Sequence, residues 1–557
     1  MRLTRRELIA AFPALLAAAP EAPGFQFSDV TAGAGIDFRH NSGAFGEKYL
    51  PETMGSGCAF LDYNQDGWMD ILLVNGMDWP GHKRGRSTMK LYRNNGDGTF
   101  TDATRQAGLD IEMYGMGVAV GDYDNDGFPD VLITCLGQNR LFRNLGNGSF
   151  QDVTAKSGLA GRSSFSTSAL WFDMDGNGLL DLFVCNYVRW SPEIDVRCSV
   201  DGQRKSYCTP EAYRGETCWL FRNRGNGTFE DVTAKAGLFD TTSKSLGAAI
   251  LDLNGDGRPD LFVANDTQPN KLYRNRGNGS FEEIALAAGV AFSQDGKARA
   301  GMGVAVADFD RSGAESIAVT NFNNEMLALF RAGNDGSFTD IASGGPLGRI
   351  TRGSLGFGCV FADFDLDGWS DLLVVNGHID DVSAQATNSG HAQAPHLLRN
   401  IAGQRFEDVA ASVGRSFMQP KIGRGAAVAD FNLDGDLDVL ITENNGPARL
   451  YRNEQAPGRQ SIRFELVGVE SNRDAIGAEV VVEIGGARQR ARVHSGSSYL
   501  SQSELPLTFG LGREDRITRA LIKWPNGRQE EFPRLQSGRR YRIVEGQGVA
   551  ESHPFQR

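Results

Sequence analysis

A nine-residue acidic pattern, Asp-x-Asp/Asn-x-Asp/Asn-Gly-x-x-Asp, begins at Asp62, Asp122, Asp173, Asp252, Asp363 and Asp430, and a degraded seventh copy begins at Asp308. The starts lie 51 to 79 residues apart, the spacing of a four-stranded blade with variable loops. Each copy has the same surroundings. An apolar strand precedes it (Gly117-Val118-Ala119-Val120-Gly121) and a β-branched strand follows (Asp130-Val131-Leu132-Ile133-Thr134). A Leu-Tyr/Phe-Arg-Asn strand, a Gly-rich turn and a Phe-x-Asp-Val-Thr strand complete the unit, as in residues 141–154. Asn-Gly and Asp-Gly turn chemistry joins four strands per unit.

Counting these pieces predicts the architecture. The Leu-Tyr-Arg-Asn type of strand starts at 91, 141, 220, 272, 329, 397 and 450, and the Phe-x-Asp-Val-Thr type at 27, 100, 150, 229, 281, 338 and 406. The first Phe-x-Asp-Val-Thr precedes every acidic loop, whereas the last Leu-Tyr-Arg-Asn has none behind it. The expected fold is therefore all-β: a seven-bladed β-propeller over residues 25–455, closed by the N-terminal strand, with residues 27–31 completing the blade begun by 424–453. Closure removes the sheet edges that an open solenoid would expose. A count of 69 glycines and a hydrophobic share of 40% suit short strands and tight turns better than helix bundles.

In each intact loop, carboxylates or amides alternate at positions 1, 3 and 5, Gly stands at 6 and Asp at 9. Alternation converges side-chain oxygens on one point, the Gly admits a sharp turn, and a carbonyl at position 7 adds a ligand. Such an oxygen-only, negatively charged set suits Ca²⁺, which takes roughly six to eight flexible ligands, better than Mg²⁺ or a transition metal. The expected ligands are Asp62, Asn64, Asp66 and Asp70; Asp122, Asp124, Asp126 and Asp130; Asp173, Asp175, Asn177 and Asp181; Asp252, Asn254, Asp256 and Asp260; Asp363, Asp365, Asp367 and Asp371; and Asp430, Asn432, Asp434 and Asp438. The copy at Asp308 carries Ser312 and Ser316 where acids belong and is expected to bind no ion. The six loops hold 20 of the 69 acidic residues, and six Ca²⁺ would cancel the formal net charge of −12. Without metal these carboxylates repel one another, so about six structural calcium ions are expected, coupled to stability.

Arg2, Arg5 and Arg6, followed by an apolar stretch from Leu8 to Ala19, read as an export signal over residues 1–22, too short to span a bilayer. Thr4-Arg5-Arg6-Glu7-Leu8 is similar to a twin-arginine signal; the general secretory route is the alternative. The twin-arginine route carries folded protein out of a calcium-poor cytosol, so either the ring folds without metal or the general route applies. The expected location is the periplasm, the cell surface or the medium. No other segment is apolar enough to cross a membrane, and a net charge of −12 argues against a nucleic-acid partner. Cysteines in an exported chain invite disulfides. Cys58, Cys135 and Cys359 lie in apolar strands as small core residues, while Cys185, Cys198, Cys208 and Cys218 cluster in and beside one insertion. One or two disulfides are expected there, in one of three pairings.

Alternation in Ser461-Ile462-Arg463-Phe464-Glu465-Leu466 and in Ala478-Glu479-Val480-Val481-Val482-Glu483-Ile484 marks a small β-domain over 460–547, with 548–557 as a tail. Whether it packs on the propeller or swings free, the residues do not say. Its motifs are Asn472-Arg473-Asp474-Ala475-Ile476-Gly477-Ala478, Gly496-Ser497-Ser498-Tyr499-Leu500-Ser501-Gln502, Phe509-Gly510-Leu511-Gly512 and Ile522-Lys523-Trp524-Pro525-Asn526-Gly527. Together with Tyr49-Leu50-Pro51-Glu52-Thr53-Met54-Gly55-Ser56-Gly57 before the first loop, they resemble the bacterial ASPIC/UnbV proteins. The acidic repeats are similar to the FG-GAP/VCBS repeats of integrin α-subunit propellers. The resemblance implies extracellular binding or adhesion and no established reaction.

Because strands alternate in direction, the acidic loops share one face, and the insertions 39–56, 75–89, 186–217 and 376–395 share the other. The insertions carry Trp79, His82, Lys83, Arg84, Arg86, Tyr187, Trp190, Tyr207, Tyr213, His378 and His391. These are expected either to anchor a protein or glycan ligand or to cap the central channel. An enzymatic alternative is polysaccharide cleavage with His40, Glu47, Lys48 and Glu52 as acid–base groups over the channel mouth, or with His82, His378 and His391 around a metal. No nucleophile elbow, phosphate loop or HExxH motif occurs in the sequence.

Overall fold

The computed structural model describes residues 24–556 apart from Asn334 and Asn388; the expected export signal lies outside the described residues. In the first complete repeat, strands Cys58–Leu61, Asp70–Leu73, Lys90–Asn94 and Phe100–Asp102 pair antiparallel in chain order. The first two are buried throughout, whereas the fourth buries only its Phe. That gradient explains the near-continuous apolar runs beside each acidic loop and the polar Phe-x-Asp strand at the rim. The acidic loop joins the first two strands, whose last rung is Leu61↔Asp70.

The innermost strands of the successive repeats are β1 (Cys58–Leu61), β2 (Gly115–Gly121), β3 (Ser164–Phe172), β4 (Ser245–Leu251), β5 (Val304–Ala307), β6 (Gly356–Ala362) and β7 (Gly423–Ala429). Among the described residues, the repeats of β2 and β3 share one eight-stranded sheet through the short bridge Ser164↔Gly137 and Phe165↔Leu136, and the others stand as four-stranded sheets. Consecutive inner strands are neighbours from β1 to β7, and β7 in turn neighbours β1. The N-terminal strand Phe25–Asp29 pairs antiparallel with Ala448–Gln455, from Phe25↔Gln455 to Asp29↔Tyr451, as the outer strand of the sheet that β7 begins. The fold is all-β with propeller-like repeats.

Beyond residue 459 the chain forms two more four-stranded sheets. One orders Leu507–Gly512, Gln460–Val467, Arg539–Val544 and Gly548–Pro554; the other orders Ala487–Arg492, Glu479–Ile484, Arg519–Lys523 and Gln529–Pro533. Ile462, Phe464, Val480, Val482, Ile522 and Trp524 belong to their common core. The segment 548–557, expected as a tail, instead supplies the edge strand Gly548–Pro554, paired with Arg539–Val544, and a buried Phe555. The edge strand is mostly exposed, so it lacks the apolar alternation that reveals a strand in sequence.

Candidate metal loops and the domain that covers them

The seven loops share one backbone. Position 4 is left-handed in every copy: Gln65 (φ 57°), Asn125 (57°), Gly176 (72°), Gly255 (70°), Arg311 (55°), Leu366 (54°) and Leu433 (58°). A left-handed leucine costs roughly 1–2 kcal/mol, so the surroundings hold it there. The glycine at position 6 is left-handed as well, and its N–H donates to the position-1 carboxylate, as from Gly67 to Asp62 (2.8 Å) and Gly127 to Asp122 (2.7 Å).

The Asp at position 9 is a backbone anchor. Asp70 accepts the N–H of Tyr63 on one oxygen (3.1 Å) and that of Asn94 on the other (2.7 Å). The Asn94 side chain then donates to Met69 O (3.1 Å) and to Phe431 O (2.9 Å), in the loop of the adjacent repeat. Asn144, Asn223, Asn275, Asn400 and Asn453 repeat this contact, to the carbonyls of Tyr63, Tyr123, Met174, Phe309 and Phe364, at 2.8–3.0 Å. The last residue of Leu-Tyr-Arg-Asn is thus a clamp between neighbouring repeats. In the degraded copy, Ser316 replaces the Asp and Ala332 the Asn, leaving only Ala332 N–H to Ser316 Oγ (3.1 Å).

Three of the intact loops gather carboxylates closely enough to hold a cation. Ligand oxygens of Asp122, Asp124 and Asp130, of Asp173, Asp175 and Asp181, and of Asp363, Asp365 and Asp371 lie within 4.8 Å of one another. The loops at Asp62, Asp252 and Asp430 carry Asn at position 3 and so have one carboxylate fewer there. Oδ1 of Asp124, Asp175 and Asn432, all at position 3, is buried without a hydrogen-bond partner. Burial, with neighbouring carboxylates behind it, pushes Asp70, Asp122 and Asp181 up to about 8 and Asp130 up to about 9. Orphaned buried oxygens beside crowded carboxyls fit a hard divalent cation. Where position 3 is Asp, the Arg of Leu-Phe-Arg-Asn or its equivalent pairs with it, as in Arg143–Asp124 (2.5 Å) and Arg399–Asp365 (2.7 Å). Where position 3 is Asn, its amide instead donates to position 5, as from Asn64 to Asp66 (2.8 Å). At the degraded loop, Arg490 of the C-terminal domain donates to Gly313 O, and its charge opposes the burial that pushes Asp308 up to about 6.

The C-terminal domain sits on these loops. Asp474 accepts the N–H of Asp122 (2.6 Å), and Glu504, ion-paired to Arg463, accepts that of Asp430 (3.1 Å). Glu315 accepts the N–H of Asp252 (3.0 Å) and pairs with Arg492 (3.1 Å), which also reaches Glu479 (3.2 Å). From this domain the motif 496–502 inserts between the inner strands. Ser498 exchanges both backbone hydrogen bonds with Val304 of β5 (2.7 and 2.9 Å), and its Oγ accepts from Cys359 N in β6 (3.1 Å). Leu500 N–H donates to Ser168 Oγ in β3, and Leu500 O accepts from Val118 in β2, both at 3.1 Å. Gln502 exchanges with Cys58 and Phe60 of β1. Tyr499 is fully buried, its hydroxyl donating to Met54 O (2.8 Å). A Cβ on Gly57 would stand 2.3 Å from Leu500 O, so that glycine admits the insert. A cavity of about 190 Å³ remains beside it, with Ala305, Phe361, Arg311, Arg492 and His494 in its walls.

On the opposite face the insertions meet. Lys48 pairs with Asp380 (3.0 Å) and Lys205 with Asp195 (3.3 Å) and Glu47 (3.4 Å). Trp79 packs on Tyr114, Tyr49 and Trp190 at 4.8, 5.2 and 5.4 Å, and Trp79, Trp190, Tyr187 and Tyr213 are all buried. These aromatics are therefore the interior of a cap and do not stand free as anchors. Lys83, Arg84 and Arg86 stay more than half exposed at their side chains, paired to Glu112, Asp78 and Asp110. The disulfide Cys198–Cys208 closes the tip of the longest insertion. Cys58, Cys135 and Cys359 are buried thiols.

Of the residues of the enzymatic alternative, His40, Glu52 and His378 lie buried under this cap, whereas Glu47 and His82 are exposed. Glu52 is buried, accepts from Trp79 Nε1 and Tyr207 Oη (3.0 Å each), and is pushed up to about 7 by burial. His40 is buried, its Nδ1 accepting from Asn445 N–H, and burial followed by the charge of Arg424 pushes it down to about 3. His378 is buried and pushed down to about 4, chiefly by burial, while His82 stacks on Phe45 at 3.9 Å. His82, His378 and His391 form no metal-ligand group among the described residues. No sequence pattern singles out Arg424, whose fully buried guanidinium donates to Thr53 O (2.8 Å) and Gly423 O (2.7 Å) and lies 3.9 Å from the Phe357 ring.

Residues 468–550 match the family described as ASPIC and UnbV, and segments between 62 and 319 match the FG-GAP-like repeat. Cartilage acidic protein 1 of Mus musculus is 28% identical over 363 residues, 64% of this chain and 51% of that protein. The Homo sapiens protein of the same name is also 28% identical, over 64% of this chain and 50% of its own length. The chain thus spans about half the length of the curated relatives it matches. Among solved structures, YCF48 bound to a D1 peptide is similar over 79% of this chain and 99% of that one, at 10% identity and a TM-score of 0.41.

Proposed function

We propose that this chain, whose residues 468–550 match the ASPIC and UnbV family and whose segments between 62 and 319 match the FG-GAP-like repeat, is an exported, calcium-loaded interaction module built on a closed seven-bladed ring. The pairing of Phe25–Asp29 with Ala448–Gln455, the neighbouring of β7 and β1, and the Asn94 clamp to Phe431 support the ring. One observation carries the calcium reading: position-3 oxygens buried without partners inside loops of mutually repelling carboxylates. Asp, Asn and the position-7 carbonyl of each intact loop would hold the ion, which when bound supplies the positive charge these oxygens lack. Its role is structural, since the loops lie beneath the C-terminal domain. A protein or glycan ligand is then left the insertion face, where Lys83, Arg84 and Arg86 and the apolar side chains of Ile194, Val196 and Val200 are exposed. Export fits the disulfide Cys198–Cys208. Among the described residues no helix is long and apolar enough to cross a membrane.

Equilibrium dialysis of the purified chain against calcium, read by elemental analysis, tests the first half. About six ions per chain are expected, and about five when Asp122→Ala and Asp130→Ala are combined. Two ions or fewer would end the structural-calcium reading. For the second half, arrays of surface polysaccharides and envelope proteins are screened with the calcium-loaded chain. Binding that is lost in Lys83→Ala/Arg84→Ala/Arg86→Ala, with unchanged melting, supports the insertion face; undiminished binding removes it.

A further inference from the structure

The third repeat brings two cysteines together. Strands Asp181–Asn186 and Trp219–Asn223 pair antiparallel with the rungs Leu182↔Phe221, Phe183↔Leu220 and Val184↔Trp219. Continued by one step, just before Trp219 begins its strand, this register sets Cys185 opposite Cys218. Facing residues of an antiparallel pair stand about 4.5 or 5.5 Å apart at Cα, and both spacings fall within the ~4.4–6.8 Å that a disulfide requires. Both thiols are buried, and Cys218 Sγ donates to Ser245 Oγ at 3.1 Å. The remaining thiols have other neighbours: Cys58 lies 3.6 Å from Ser501 Oγ, and Cys135 donates to Ile133 O at 3.7 Å.

Position gives the pair its meaning. Cys185 and Cys218 flank the insertion 186–217 at its base, and Cys198–Cys208 closes its tip. Between them run Trp190, Lys205, Tyr207 and Tyr213, which build the cap. We propose that Cys185 and Cys218 are a site of oxidative modification, joined as a second, nested disulfide that locks the base of this insertion. The co-reactant is a disulfide, such as glutathione disulfide or the oxidised dithiol of an oxidase. The Cys185 thiolate attacks it and displaces one thiol, and the Cys218 thiolate then attacks the Cys185 sulfur of the mixed disulfide and displaces the second. Two protein thiols and one external disulfide become one protein disulfide and two external thiols, with two electrons and two protons passing to the oxidant. Since both sulfurs are buried in the folded repeat, the exchange precedes closure of this strand pair.

The full chain is refolded in a reduced/oxidised glutathione buffer with calcium, denatured in alkylating reagent and mapped by peptide mass. Three alkylated cysteines, Cys58, Cys135 and Cys359, together with a peptide linking Cys185 to Cys218, are the expected result. Five alkylated cysteines, or Cys185 or Cys218 joined to Cys198 or Cys208, would overturn the proposal. The variant Cys185→Ala/Cys218→Ala keeps three thiols and the tip disulfide, and its insertion should be cut by trypsin several-fold faster than the parent's at equal calcium. Equal cutting rates would show that no bond at the base restrains the insertion.

Discussion

Asp70, Asp130 and Asp181 each do two things. Their oxygens accept backbone N–H groups that shape the loop, as from Tyr63 and Asn94 to Asp70, and they bring charge to a place where burial opposes it. With their carboxyls pushed up to about 8 or 9, the metal-free fold binds protons that the unfolded chain, at about 3.9, has already released. A group with a raised folded value stabilises most below the unfolded value and loses that contribution as pH climbs towards the folded one. The melting temperature of dialysed, metal-free protein should therefore fall steadily between about pH 5 and pH 9. Saturating calcium should abolish that slope, because the ion then replaces the proton. Parallel pH profiles with and without calcium, in scanning calorimetry, would contradict this account. The acidic loops are legible in sequence because the alternation of their carboxylates is written in the residues. The left-handed position 4 was not, since Gln, Asn, Gly, Arg and Leu all occupy it and only the folded loop imposes the conformation.

Six of the seven strands of the Leu-Tyr-Arg-Asn type end in a side chain that belongs to two repeats. Asn144 donates to Tyr63 O at 2.8 Å and Pro129 O at 3.2 Å, so Asn144→Ala leaves two buried carbonyls with less than they need. The expected cost is about 1–3 kcal/mol, read as an earlier midpoint in urea at fixed calcium. The degraded repeat offers the converse. Ala332→Asn alone keeps only Ser316 Oγ as acceptor for its N–H, whereas Ala332→Asn with Ser316→Asp restores the two-oxygen anchor and should raise the midpoint; no gain from the pair would sink the clamp as an inter-repeat device. That Asp and Asn are lost together in one repeat is visible in the sequence, and the contact between repeats explains why. The insertions were harder to read. Trp79 and Trp190 look alike as ligand anchors or as core until four separated segments converge and bury them, and no local pattern encodes that convergence.

Charge divides the molecule. Residues 460–557 carry 15 Arg and Lys against 12 Asp and Glu, a formal +3, which leaves −15 for the rest of the chain. The basic domain faces the acidic loops, with Arg490 on Gly313 and Arg492 on Glu315, and the direction of docking follows that complementarity. Charge alone would leave the domain sliding; the insert gives it a single seat. In sequence, residues 496–502 stand out only as a motif of the family resemblance, because Gly, Ser and Gln carry no apolar period that marks them as buried. The matching signal lay in the ring, in Gly57 and Gly117, where a Cβ would stand 2.3 and 3.1 Å from atoms of Leu500. If the insert holds the domain, Tyr499→Ala should release it. That change removes the hydrogen bond to Met54 O and the ring packed 4.9 Å from Phe357, a loss of about 3–5 kcal/mol for a buried aromatic side chain. The strands and acidic loops of the ring are untouched in this variant, so far-ultraviolet circular dichroism should be unchanged. Limited proteolysis at residues 456–459, between the two bodies, should accelerate at least tenfold, and small-angle scattering should show a larger radius of gyration. A variant cleaved no faster than the parent would place the hold in the salt bridges at the loop face, and Arg492→Met, which cuts the link from Glu315 to Glu479, would then be the change that frees the domain.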